Sequence, residues 1–191
     1  PLYSSAASDV YKRQEYDMPK LIINAAGDEF FQPDSWKFYW DSLPGEKHVM
    51  YVPNFGHDLG ESDAIPNLIA FYSSILNKTT RPTYDWKIEG DKILVKTDPT
   101  QKPVSAKLWT AHNEEARDFR IDVFGPKWTS VDLPISEDGN YEVTMETPEK
   151  GYKGHFVELT FAGATPLKVT TGIDVLPRTY PFEPFVPKPT K

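Results

Sequence analysis

A chain of 191 residues, 39% hydrophobic and 26% charged, can bury a real core as one large domain or two small ones. Its net charge of −7, with Lys and Arg scattered rather than striped, excludes the electrostatic footprint of a nucleic-acid binder. With no Cys there is neither a disulfide framework nor a thiolate metal site, which leaves the compartment open, and no apolar run approaches the roughly 18 residues needed to span a bilayer.

Residues 1–14 (PLYSSAASDVYKRQ) lack the apolar stretch of a signal peptide. They resemble a read-end artefact seen at the edges of proteins derived from environmental or transcript assemblies, so native sequence is expected from Glu15. Leu21 to Ala26 is a short continuous apolar run ended by Gly27, which suits a strand buried on both faces of a parallel sheet. Asp34-Ser35 reads as a helix start, followed by Trp36, Phe38, Tyr39, Trp40 and Leu43 and stopped by Pro44-Gly45. His48 to Pro53 is a second β-type run, closed by Asn54-Phe55-Gly56. Ser62 or Asp63 then caps a helix whose Ile65, Leu68, Ile69, Tyr72, Ile75 and Leu76 form one apolar stripe. This alternation predicts an α/β sheet over residues 15–80.

Lys78 to Pro82 is a polar connector and a domain boundary. Beyond it come short runs separated by turn signals: 86–88, 92–97, 105–110, 128–131, 141–146, 155–161 and 168–175. That spacing predicts a β-sandwich, immunoglobulin-like or fibronectin-like, over residues 81–176. The Pro-rich tail, 177–191, is expected to run extended.

The chemistry concentrates between Ile23 and Leu59. In α/β-hydrolases the acid follows one late strand and the histidine follows the next, both at the carboxyl edge of the sheet. Asp28 directly follows the first run and His57 the second, in that order. The acid fixes the tautomer of the imidazole, which in turn takes the proton of a serine. Each residue alone reads equally as an ordinary turn residue. Glu29 is the rival acid, and Asp58 a weaker one. Gly60-Glu61-Ser62-Asp63-Ala64 imitates a nucleophile elbow, but Ser62 comes after the histidine at a helix start and reads as a cap. Phe30, Phe31 and Trp36 read either as packing or as the wall of a substrate pocket. His112 and His155 stand without companion ligands, so no metal or cofactor is expected.

Residues 18–31 (MPKLIINAAGDEFF), then Pro33-Asp34-Ser35, Phe38-Tyr39-Trp40, Leu43 to Lys47, Tyr51 to Asn54, Gly56-His57, Asp118-Phe119-Arg120 and Phe156 to Leu159 resemble the PhoPQ-activated pathogenicity-related family. The resemblance runs from about Glu15 to Phe182, and the GDEFF and PNxGH segments are its most specific pieces. It implies the C-terminal portion of an α/β-hydrolase domain followed by a β-domain, usually exported, with Asp28 as acid and His57 as base. It names no substrate.

Two functions follow as expectations. The first is a piece of a secreted or periplasmic serine hydrolase, cleaving an ester or peptide-like bond in a small-molecule or peptide substrate. Its nucleophile would lie upstream, so the chain alone would be inactive. The second is a secreted binding or signalling protein that keeps the fold and meets a protein partner through the β-sandwich. Carbohydrate binding through Trp109 and Trp128 has little support beyond those two side chains. If the dyad forms, Asp28 should lie about 2.7–3.2 Å from Nδ1 of His57, with Glu29 turned away.

Overall fold

The computed structural model describes residues 17–183. The leader at 1–14, and 184–191 of the tail, lie outside the described residues; residues 177–183 carry no regular secondary structure. Strands β1 (Lys20–Ala25) and β2 (Lys47–Val52) pair in parallel, from Lys20 opposite Lys47 to Ala25 opposite Val52. Ile22 and Ile23 in β1 and Val49 and Val52 in β2 are branched side chains that fit a pleated surface. β2 is buried on both faces. β1 is only half-buried, because β2 is its one strand neighbour among the described residues.

The helix expected from Asp34 to Leu43 does not form. Two short 3-10 turns, Ser35–Phe38 and Trp40–Ser42, stand in its place. Aromatic side chains lose rotamer freedom against a helical turn, so the local preference is weak. Tertiary contacts override it: Trp36 Nε1 donates to the carbonyl of Ile173 at 2.7 Å, and both Trp36 and Trp40 pack on Trp86.

Helix α1 (Ala64–Leu76) is the one α-helix of the described residues. Its periodicity is as read, but its orientation is not what an apolar stripe implies. Ala64, Asn67 and Phe71 face inward, while Ile65, Leu68, Ile69, Tyr72 and Leu76 are exposed. A polar residue does much of the docking: the Asn67 amide donates to the carbonyl of Lys168 at 2.9 Å and accepts its N–H at 2.6 Å.

These elements do not make the α/β-hydrolase sheet that the sequence predicts. The parallel part is a single two-stranded ladder, and every other ladder is antiparallel. The protein is mostly β, in several sheets. The sequence reading extended one parallel pair and one helix into an architecture that the remaining ladders do not continue.

After residue 80 the turn-punctuated runs do become strands. β3 (Tyr84–Glu89), β4 (Lys92–Thr97) and β7 (Asn140–Thr144) form a three-stranded sheet in the order β3-β4-β7. β5 (Ser105–Asn113), β6 (Thr129–Asp132), β8 (Tyr152–Phe161) and β10 (Asp174–Leu176) form a second in the order β10-β8-β5-β6, and β9 (Leu167–Thr170) also pairs with β8. The run read as one strand at 168–175 is two, broken where Thr171 pairs with Val157 through its main-chain N–H and its hydroxyl. β8 is buried from Gly154 to Leu159, so both of its faces are covered. One apolar cluster takes in Tyr51 and Phe71 together with Trp86, Val95, Val157 and Leu159. Trp128 is 3% exposed, so it offers no face to a sugar, and one face of the half-buried Trp109 is stacked on Phe156.

His155 sits in β8 at 2% exposure with neither ring nitrogen hydrogen-bonded. Burial, with the charge of Lys153 adding to it against Asp174 and Glu146, pushes its pKa down to about 4. An unfolded histidine titrates near 6.5, so between roughly pH 6.5 and 4 the unfolded chain binds a proton that the folded chain refuses. Stability should therefore fall by about 3 kcal/mol as pH drops through that window. Burial lowers His48 as well, in the same direction. Carboxylates such as Glu46, brought from 4.5 to about 2 chiefly by Arg81, add their own loss only from about pH 4.5 downward. Urea unfolding at several pH values should show this slope, and His155→Leu should flatten most of it.

Candidate active site

The exits of β1 and β2 run side by side at one edge of the parallel pair. Ala26 N–H donates to Val52 at 2.9 Å and Gly27 N–H to Phe55 at 3.1 Å. Gly27 has no room for a side chain: a Cβ there would meet the Phe55 carbonyl at 2.9 Å and Ile121 at 3.3 Å.

The turn that follows puts both oxygens of Asp28 to use. Oδ1 accepts the N–H groups of Phe30 at 2.8 Å and Phe31 at 3.0 Å, and Oδ2 lies 3.0 Å from Nδ1 of His57. The Asp28 side chain is 9% exposed and that of His57 is 51% exposed. An ionised carboxylate can only accept. The neutral ring therefore carries its proton on Nδ1 and leaves the lone pair of Nε2 free. Among the described residues nothing hydrogen-bonds Nε2.

Asp28 thus both caps its turn and meets the ring, which unites the two readings that the sequence left open. Glu29 does not turn away. Its Oε2 accepts the backbone N–H of His57 at 2.8 Å, so it reaches the histidine's main chain rather than its ring. Asp58 accepts from the N–H of Gly60 and stays within its own turn. Ser62 Oγ accepts the N–H of Ala64 at 3.2 Å and so serves the start of α1.

Phe30 and Phe31, 76% and 60% exposed, flank the imidazole with ring centroids 4.9 and 5.8 Å from it. Beside them a cavity of about 520 Å³ lies between residues 28–33 and residues 115–120, with Tyr152 and Phe182 also on its wall. Trp36 is elsewhere, packed on Trp86, and does not line that cavity.

The part of the site that sequence reasoning missed comes from the β-rich region. Ile121 N–H donates to the carbonyl of Gly27 at 2.8 Å. Asn54, at φ 62°, donates to the carbonyl of Trp128 at 2.9 Å and accepts its N–H at 2.8 Å. Asp34, 1% exposed, takes Arg117 at 2.6 Å and Lys37 at 3.0 Å. Burial by itself would raise the Asp34 pKa, but hydrogen bonds and charge from Arg117 and Lys37 bring it below the usual carboxylate value. Asn54 in a Pro-Asn-Phe-Gly turn signals a positive φ. Nothing local signals a partner 74 residues away.

Among the described residues no group of three or more His, Cys, Asp or Glu could hold a metal ion. No described helix is long and apolar enough to cross a membrane.

Fold and site together define a mostly β protein that carries a carboxylate–imidazole pair at the carboxyl ends of two adjacent parallel strands. The chain belongs to the PhoPQ-activated pathogenicity-related protein family, whose model matches residues 5–120 and so takes in both dyad residues and the flanking phenylalanines. It is also similar to autocrine proliferation repressor protein A of Dictyostelium discoideum, at 31% identity over 198 residues, which is 89% of this chain and 40% of that protein. The chain therefore spans about 40% of the length of that relative.

Asn54→Gly keeps the positive φ without strain and removes both bonds to Trp128. The Trp128 main-chain groups lose their side-chain partners, so the substitution should cost about 1–3 kcal/mol in denaturant unfolding. A change within about 0.5 kcal/mol would mean that the amide clamp carries no weight.

Proposed function

We propose that this chain carries the acid and the base of a hydrolase acting on ester or peptide-like bonds. Asp28 orients His57, and His57 takes the proton of an attacking serine hydroxyl. The observation that supports this most is the 3.0 Å approach of Asp28 Oδ2 to His57 Nδ1, with Nε2 unengaged on a half-exposed ring. A serine hydroxyl is a poor nucleophile until a neutral imidazole accepts its proton. A carboxylate at Nδ1 holds the imidazole in the accepting tautomer and stabilises the imidazolium that forms.

In this reading the serine comes from a stretch of a longer protein, in keeping with a relative of which this chain spans 40%. Phe30 and Phe31 wall the site against the apolar part of a small-molecule or peptide substrate. The chemistry requires no metal or cofactor, and the protein works outside the cytoplasm, secreted or periplasmic. A second reading is favoured by the name of the relative, an autocrine proliferation repressor. There the protein is a secreted signal that acts by binding, with its β-rich part turned to a protein partner.

The two readings separate on a serine-directed fluorophosphonate probe and an activated ester. The 191-residue chain should not label. Labelling that Ser62→Ala abolishes would make Ser62 the nucleophile after all. The full-length product of the same gene should label and turn over ester. His57→Ala should abolish turnover, and Asp28→Asn should lower it by on the order of 10³–10⁴-fold with the fold intact. Turnover indifferent to both substitutions, or none in the unsubstituted protein, would leave the signalling reading.

A further inference from the structure

Two consecutive acidic residues hold opposite ends of one histidine. Asp28 meets the His57 ring, and Glu29 meets its main chain through a 2.8 Å hydrogen bond from the His57 N–H to Oε2. A carboxylate that accepts a backbone N–H makes one of the stronger hydrogen bonds available to a loop. The residue before the histidine shows how tightly this is built. A Cβ on Gly56 would stand 2.5 Å from Glu29 Oε1 on one side and 2.8 Å from Ile121 Cγ2 on another, so any side chain there would push one of them aside. Ile121 is itself fixed, since its N–H donates to the carbonyl of Gly27, the residue before Asp28.

We propose that Glu29 is a positioning residue for the base. By accepting the His57 N–H while Ile121 closes the other side of Gly56, it fixes the main chain from which the imidazole reaches Asp28. This rests on the reading of Asp28 and His57 as acid and base. Glu29 has no contact with the ring nitrogens and takes no proton in the reaction; its contribution is the placement of the His57 Cα. The ring needs that help. Half of it is exposed, so packing around the imidazole does little to hold its orientation.

The test reads the His57 ring directly, by nitrogen NMR of the histidine-labelled 191-residue chain in alkaline solution where the ring is neutral. The unsubstituted chain should show His57 as the Nδ1–H tautomer. Glu29→Met keeps the length of the side chain and removes its strong acceptor. It should turn His57 predominantly into the Nε2–H tautomer that free imidazole side chains prefer, in a chain whose amide spectrum stays dispersed. Glu29→Gln, whose amide oxygen can still accept the N–H, should restore the Nδ1–H form. A merely structural Glu29 would lower the melting temperature without moving the tautomer ratio. Should Glu29→Met not fold, Gly56→Ala displaces the same carboxylate from the other side and should give the same switch. An Nδ1–H tautomer that survives either substitution in a folded chain overturns the proposal and leaves the dyad reading standing. An unsubstituted chain without the Nδ1–H tautomer removes the dyad reading itself.

Discussion

A carboxylate as deeply buried as Asp34 must be paired or the fold gives way around it, since each ion taken from water carries a penalty of several kcal/mol. Arg117, itself almost fully buried, takes it at 2.6 Å, and Lys37 takes it at 3.0 Å. Lys37 also reaches Asp174 at 3.0 Å, and Asp174 takes Arg178 at 2.6 Å. Three stretches of chain are therefore held by one set of charges: Asp34 and the 3-10 turn that follows it, the segment after β5, and the start of β10 with the residue Arg178 beyond it. Removing one partner from such a set costs about 3–5 kcal/mol, because the remaining charge stays buried. The loop that bears Asp28, Phe30 and Phe31 hangs between this network and the Gly27–Ile121 hydrogen bond, so its path is fixed at both ends.

The parallel strand pair and its helix meet the β-rich part through the same polar device used twice. Asn54 and Asn67 each present an amide that donates to one residue's carbonyl and accepts that residue's N–H, on Trp128 and on Lys168. A side-chain amide copies the donor and acceptor of a backbone, so it can complete a strand's hydrogen bonding where no neighbouring strand fits. Apolar packing at the same contact is modest on the helix side, with Ala64 and Phe71 as the buried apolar residues of α1. Directional bonds of this kind fix register as well as distance. That matters to a site whose carboxylate and imidazole come from loops on one side of the interface and are braced from the other.

What the sequence made legible was local. Asp28 and His57 could be placed on the turns after two neighbouring strands because each follows a glycine at the end of an apolar run. The strands after residue 80 could be read because alternation has a period of two and turns are punctuated by glycine and asparagine. Three features escaped for physical reasons. The aromatics of 36–40 fit a helix by spacing, yet Trp36 and Trp40 gain more from Trp86 than a helical turn offers. The stripe on α1 told which side was apolar but not which side was inward, and Asn67 decided that. The architecture was misjudged because a strand–helix–strand pattern can belong to a two-stranded ladder as readily as to a wide parallel sheet. The braces at Arg117, Ile121 and Trp128 had no signal in their own neighbourhood at all.

The dyad is unevenly exposed, and that shapes what it can do. The acid side is dry: Asp28 is 9% exposed and has both oxygens engaged, so the carboxylate has little freedom to exchange its partners for water. The imidazole side is wet, with half of the His57 ring open. A hydrogen bond in a low-dielectric surrounding is electrostatically stronger than one in water. The orientation of the imidazole is thus set from beneath, by Asp28 at the ring and Glu29 at the main chain, while its free nitrogen competes with solvent. The rings of Phe30 and Phe31 stand beside that nitrogen's ring with most of their surface exposed. Any group that settles on them displaces water from around the imidazole at the same time, so at this site binding apolar surface and drying the imidazole are one event.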